Sequence, residues 1–234
     1  MSQASSIVLA ITMVASGYLV TICCTAPIKS PKESKRNDTD RLSIMARLVP
    51  LFFRQLSILA VAYQALLAIT PEYAPSLTTK ICPQPENLNP DIFSWSSTST
   101  IALSLIIIGA YARLSGYNGL GRYFTFHLVA PDQLVTGGIY RRMQHPSYTG
   151  HLSIVAGCTM LFMRWDGIPA CWVQESTLSK LAGWGVPAWV SFMGLSIWLI
   201  LLRVKDEEDM LEEKFGKQWE EWHRSTKRFI PGLF

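Results

Sequence analysis

The stretch Gly137–Trp165 reads GGIYRRMQHPSYTGHLSIVAGCTMLFMRW. A polar segment carrying glycines, aromatics and a histidine gives way after Tyr148 to a run, Thr149–Trp165, that is almost wholly apolar. Further on, the acidic pair Glu207-Glu208 closes a second long apolar run. Two polar constellations therefore flank a helical hairpin whose solvent is lipid.

Composition supports that solvent along the whole chain. Hydrophobic residues make up 49% of 234 and charged residues 16%. The apolar residues come in blocks instead of an amphipathic period, which argues for a bilayer. A span needs roughly 20 apolar residues, and five are read: Ser5–Ala26, Leu48–Ile69, Ile92–Ala112, Thr149–Trp165 and Leu181–Val204. The expected fold is all-α, a polytopic membrane protein, organised as an N-terminal transmembrane region (1–91) and a core (92–234) carrying the chemistry. The first span is read as an anchor: no Lys or Arg precedes it, and its apolar run exceeds the roughly 7 to 15 residues of a signal peptide.

Basic residues set the expected orientation. Lys29, Lys32, Lys35, Arg36, Arg41 and Arg47 crowd the first loop, whereas Lys80 stands in the second, so the first loop is read as cytosolic. Alternation puts Arg113, Arg122, Arg141, Arg142 and the tail from Arg203 to Arg228 on that side. The opposite side receives Trp165, Trp172 and Trp184, as an interfacial aromatic belt requires. Arg54, about one turn inside its span, snorkels to the near face. Tyr140, His145 and Tyr148 then share a membrane face with Arg203, Glu207 and Glu208 and can converge on one pocket.

Beyond the fifth span, Val204, Leu211, Phe215, Trp219 and Trp222 recur at helical spacing, which predicts a C-terminal amphipathic interfacial helix. Glu207 and Glu208 straddle this stripe. One reading turns at least one carboxylate toward the pocket, where it needs partners; the other makes both part of a solvated face with Asp209, Glu212, Glu213 and Lys214. His145 precedes Pro146, which disfavours helix at the residue before it and puts His145 in a turning segment ahead of the fourth span. His151 reads as a structural group. His127 and His223 lack metal-ligand spacing, so no metal site is argued.

Cys23, Cys24 and Cys158 lie in apolar spans and read as small hydrophobes. Cys82 and Cys171 both fall in loops on the expected lumenal side, which motivates a disulfide between them. A glycosylation sequon at Asn37 falls in the loop read as cytosolic, so a glycan there would overturn the topology. Gly116, Gly119 and Gly121 punctuate the third loop. No strand-plus-glycine dinucleotide fingerprint and no Gly-Lys-Ser/Thr loop accompanies them, which argues against nucleotide folds of those kinds.

Leu134-Val135-Thr136-Gly137-Gly138-Ile139-Tyr140, then His145-Pro146-Ser147-Tyr148-x-Gly150, then Arg203-x-x-x-Glu207-Glu208-x-x-Leu211-x-x-x-Phe215-Gly216 together resemble the isoprenylcysteine carboxyl methyltransferase family. The resemblance covers roughly the C-terminal hundred residues. It implies methylation of the C-terminal carboxylate of prenylated cysteine, with S-adenosyl-L-methionine as cofactor and prenylated proteins or peptides as substrates. It further implies a multi-pass location in the endoplasmic reticulum membrane, with the site facing the cytosol and no nucleic-acid partner. Carried over by motif, the cofactor-binding residues are Asp132, Gln133, Leu134, Val135, Tyr140, His145, Pro146, Ser147, Tyr148 and Glu207. Arg203 corresponds to the substrate-contacting arginine, and Arg203 and Glu207 carry the catalytic roles.

One departure stands out. The family usually has arginine directly before the His-Pro pair, and this chain has Gln144. If that arginine positions the cofactor carboxylate, Arg141 or Arg142 must substitute, or affinity falls. Three alternatives are kept: a phospholipid N-methyltransferase, a nicotinamide-dependent reductase of similar membrane architecture, and a catalytically silent membrane scaffold.

Overall fold

A computed structural model describes residues 3–27 and 43–233. Lys29, Lys32, Lys35, Arg36, Arg41 and the sequon at Asn37, which carried the orientation argument, lie outside the described residues. The helices are α1 (Gln3–Cys23), α2 (Ser43–Tyr73), α3 (Pro75–Ile81), α4 (Pro90–Phe93), α5 (Ser97–Leu120), α6 (Pro146–Phe162), α7 (Glu175–Leu181), α8 (Gly185–Phe215) and α9 (Lys217–Ser225). Among the described residues no strand forms beyond an isolated bridge between Met143 and Lys227. The protein is all-α, and among the described residues four helical segments are long and apolar enough to cross a membrane: Gln3–Cys23, Leu51–Tyr73, Ser97–Tyr123 and Gly185–Phe215.

Helix ends differ from the hydropathy reading for local reasons. The third span was expected from Ile92, yet α5 begins at Ser97. Ser96 and Ser99 form a reciprocal cap: the Ser99 N–H donates to Ser96 Oγ at 3.1 Å, and the Ser96 N–H to Ser99 Oγ at 2.9 Å. Each satisfies an amide that would otherwise be unpaired at a helix start, so Ile92 belongs to the separate short α4. The expected fourth span exists as α6, which starts three residues earlier than Thr149 because Pro146 suits the first helical position. Its 17 residues span about 25 Å at 1.5 Å each, slightly less than a hydrocarbon core of about 30 Å.

The largest difference is at the fifth span. Instead of ending at Val204, α8 runs unbroken to Phe215, because no glycine or proline follows Val204 until Gly216, which takes φ +50° as a helix terminator often does. The apolar stripe is real, but the chain itself covers much of it. Leu211 and Trp219 are buried with Leu128 and Met210, and Ala130, Leu134, Phe215 and Trp222 pack against them.

The fold divides into two compact units, one of Met1–Thr21, Arg54–Ile107 and Ser153–Gly194, the other of Ile22–Phe53, Ile108–Leu152 and Leu195–Phe234. In the first, Cys82 and Cys171 are disulfide-bonded, as their shared side suggested, with a Cα–Cα distance of 4.6 Å. Both are fully buried against Leu67, with Tyr63, Ile81, Leu88 and Phe93 around them. Closing a loop with sequence separation 89 restricts the unfolded chain, so Cys171→Ala is expected to cost about 2–4 kcal/mol. Thermal denaturation in detergent checks this, and a variant melting with wild type would contradict it.

The second unit holds every candidate site residue. There α5 and α6 approach at Gly150, where an added Cβ would sit 2.4 Å from the Gly109 carbonyl oxygen and 2.6 Å from the Arg113 nitrogen. Such backbone contact requires glycine at position 150, and it holds the first turns of α6 against α5.

Candidate functional site

His145 is the residue just before α6. Its carbonyl accepts the first helical bonds, from the N–H groups of Tyr148 and Thr149 at 3.2 and 3.1 Å, and the fully buried Pro146 follows. Three residues apart at a helix start, His145 and Tyr148 point to the same side. Opposite them on α8 stand Glu207 and Glu208, which as neighbours in a helix diverge by about 100°. That divergence gives each carboxylate its own partner. The Tyr148 hydroxyl donates to Glu207 Oε2 at 2.8 Å, and His145 Nε2 lies 3.0 Å from Glu208 Oε1. Asp209, Glu212, Glu213 and Lys214 are exposed, so the charged-face reading holds for them and fails for Glu208, which is buried.

The segment after α9 completes this network. The Gln144 N–H donates to the Lys227 carbonyl at 2.8 Å and the His145 N–H to that of Arg228 at 2.9 Å, aligning residues 227–228 with 143–145. Arg228 then grips Glu208 through two bonds, Nε to Oε1 at 2.9 Å and Nη2 to Oε2 at 2.7 Å. This bidentate fork is the strong form of an arginine–carboxylate pair. Gln144 is buried and fully used: its amide nitrogen donates to the carbonyls of His223 and Thr226 at 3.1 and 2.6 Å, and its oxygen lies 2.9 Å from His223 Nδ1. The amide oxygen can only accept, so His223 Nδ1 carries the proton. Burial holds His223 below its usual value, with the nearby Glu208 charge opposing.

Tyr140 is buried as a strut. Its hydroxyl donates to the Gly116 carbonyl at 3.2 Å, its ring fills the space an added Cβ at Gly119 would occupy, and its carbonyl accepts from Trp222 Nε1 at 3.0 Å. Burial first, then the Glu207 charge, raises its ionisation well above the usual tyrosine range, so the hydroxyl stays a neutral donor. Arg203 is buried beside the Tyr148 hydroxyl and donates through Nη2 to the Phe126 carbonyl at 2.7 Å. Ser147 accepts from Arg113 Nη1 through both Oγ and its carbonyl, each at 3.0 Å.

Of the residues singled out in the sequence, the structure thus brings together His145, Tyr148, Arg203 and Glu207, with Tyr140, Pro146 and Ser147 packed around them. Asp132 and Gln133 are exposed, Val135 is partly covered, and Leu134 packs into the cluster around Trp219. Arg141 and Arg142 are exposed, and Arg228 brings a guanidinium to the network instead. Sequence reading missed Arg228, the pairing of Glu208 with His145, and the buried Arg113. Only Gln144, as a departure from the family pattern, hinted that the charges here are arranged differently.

His145 Nδ1 is buried without a hydrogen-bond partner, a condition that costs about 1–3 kcal/mol and that a bound group can relieve. Glu207, anchored through one oxygen by Tyr148, is partly exposed and can attract a cation, while Arg203 can attract an anion. Residues 97–179 match a family model described as phospholipid methyltransferase. The chain is 26% identical over 149 residues to a probable protein-S-isoprenylcysteine O-methyltransferase of Oryza sativa subsp. indica, 62% of this chain and 66% of that one. It is 29% identical to the protein-S-isoprenylcysteine O-methyltransferase of Dictyostelium discoideum, over 55% of this chain and 47% of that one. The chain resembles the isoprenylcysteine O-methyltransferases. A third relative, protein-S-isoprenylcysteine O-methyltransferase A of Arabidopsis thaliana, is 30% identical over 57% of this chain and 59% of that one. The alignments span less than two thirds of these relatives' length.

Proposed function

We propose that the chain is a membrane enzyme that methylates the C-terminal carboxylate of a prenylated cysteine, with S-adenosylmethionine as methyl donor, at the cytosolic face of the endoplasmic reticulum membrane. The observation that carries this reading is the juxtaposition of opposite charges in one site, a Tyr148-anchored Glu207 beside the buried Arg203, in a chain resembling methyltransferases of that name. The residues fit the donor: Glu207 and Tyr148 offer negative and polar groups for a cationic ligand, and His145 Nδ1 offers a buried orphan acceptor. When bound, the donor supplies an electrophilic methyl on a sulfonium.

The acceptor sets what the protein must do. An α-carboxylate with a pKa of about 3.3–3.7 is ionised at neutral pH and needs no general base. Arg203, permanently charged and held in place by the Phe126 carbonyl, attracts and orients it through its guanidinium charge. Positioning and exclusion of water then contribute most, up to about 7–11 kcal/mol for ideal alignment. Each buried methylene of a prenyl chain adds roughly 0.8 kcal/mol, which favours capture from the bilayer.

Transfer of labelled methyl tests the reading, using membranes that contain farnesylcysteine analogues and phosphatidylethanolamine together. Base-labile label on the prenylcysteine is expected. Arg203→Ala should lower kcat/KM for that acceptor about 10- to 100-fold, the loss of a charge-assisted bond of about 1.5–3 kcal/mol, with donor binding kept. The description of the matched family model favours a second reading, amine methylation of a phospholipid. Arg203 opposes it by repelling an ammonium, and label on the phospholipid alone would establish it.

A further inference from the structure

We infer that Arg228 is a positioning residue that sets the hydrogen-bonding state of His145, so that His145 Nδ1 is an acceptor reserved for an N–H or O–H group of the methyl donor. The inference rests on the proposed methyl-donor site and extends it to a residue outside the motifs that carry the resemblance.

The argument follows the protons along three side chains. The Arg228 fork engages both Glu208 oxygens, which keeps Glu208 ionised and its charge compensated from the tail side. An ionised carboxylate only accepts, so the bond between His145 Nε2 and Glu208 Oε1 at 3.0 Å has the imidazole as donor. With Nε2 donating to Glu208, the single proton of a neutral imidazole is the one on Nε2. Nδ1 is then a bare lone pair, and it is the atom that lies buried without a partner. The rings of Tyr148 and Phe229 lie 5.8 and 5.7 Å from the imidazole. A ligand meeting Nδ1 must therefore bring a donor.

Without Arg228, Glu208 would keep His145 as its immediate partner, and an uncompensated carboxylate favours the imidazolium. Nδ1 would then carry a proton and meet the ligand donor with another donor. The tail itself would stay in place, because its pairing with residues 143–145 runs through main-chain bonds and through the Thr149 hydroxyl donating to the Phe229 carbonyl at 3.0 Å.

Equilibrium binding of labelled S-adenosylmethionine to the full chain in detergent tests this. Arg228→Gln is expected to weaken binding at least roughly tenfold, since one hydrogen bond is lost and two donors oppose each other. Arg228→Lys should recover part of the loss, as a point charge without the fork. The double variant Glu208→Gln, Arg228→Gln is the deciding arm: it removes both charges, leaves a neutral amide oxygen to accept from His145 Nε2, and should bind more tightly than Arg228→Gln alone. Wild-type affinity in Arg228→Gln overturns the inference. A double variant no better than the single also overturns it, by reducing Arg228 to a tether for the tail. Failure of wild type to bind the donor would instead overturn the proposed function on which the inference rests.

Discussion

Glu207→Ala is expected to cut methyl transfer about 10- to 100-fold and to weaken donor binding, with the protein still folded. Glu207 is only partly buried, and its contact is the Tyr148 hydroxyl. Truncation therefore leaves the Tyr148 hydroxyl, a neutral group, without its acceptor. The functional loss is larger because the site loses the negative charge available to a cationic donor: a charge-assisted interaction contributes about 1.5–3 kcal/mol, and each 1.36 kcal/mol is tenfold. Tyr148→Phe should fall short of this, since it frees the carboxylate without removing it. Single-turnover transfer and donor binding, measured on both variants, check the order. A Glu207→Ala protein that binds the donor as wild type does would remove Glu207 from the site.

The second large effect is structural. Gly150→Val should destabilise the protein by several kcal/mol and abolish transfer, although glycine costs a helix about 1 kcal/mol relative to alanine. The contacts decide otherwise. An added Cβ at Gly150 would stand 2.4 Å from a carbonyl oxygen, 2.6 Å from a backbone nitrogen and 2.9 Å from the Arg113 Cβ. None of these is the far end of a flexible side chain, so α5 and α6 must separate, and overpacking of lesser severity already costs about 1–3 kcal/mol. Separation also moves the start of α6, which carries His145 and Tyr148. Gly194 in α8 supplies the contrast, because nothing lies within 4 Å of an added Cβ there. Gly194→Ala should be neutral or stabilising by up to about 1 kcal/mol. Melting temperatures of both variants in detergent test the pair, and equal effects would show that the α5–α6 contact is not limiting.

Much of the fold was legible because lipid imposes a long-range rule on composition. A backbone in hydrocarbon must satisfy its own hydrogen bonds, so blocks of apolar residues announce helices without knowledge of their neighbours. Helix ends were less legible. Ser96 and Ser99 start α5 through a four-residue cap that hydropathy does not weigh, and α8 passes Val204 because backbone continuity ends at Gly216, not where apolarity ends. The turn at His145 was readable, since Pro146 restricts the residue before it.

In the site, the residue types were legible and the pairings were not. Motif spacing brought His145, Tyr148, Arg203 and Glu207 forward, but His145 meets Glu208 across a separation of 63 and Gln144 meets Thr226 across 82. Spacing along a chain does not encode contacts of that length. The sequence by itself determined the all-α membrane class, the break before α6 and the presence of an acidic pair in a helix. Tertiary structure alone decided that Glu207 answers Tyr148 while Glu208 is shared by His145 and Arg228. The physical reason is that two neighbours on a helix point about 100° apart, and only the packing of other segments against that helix sets what each direction meets.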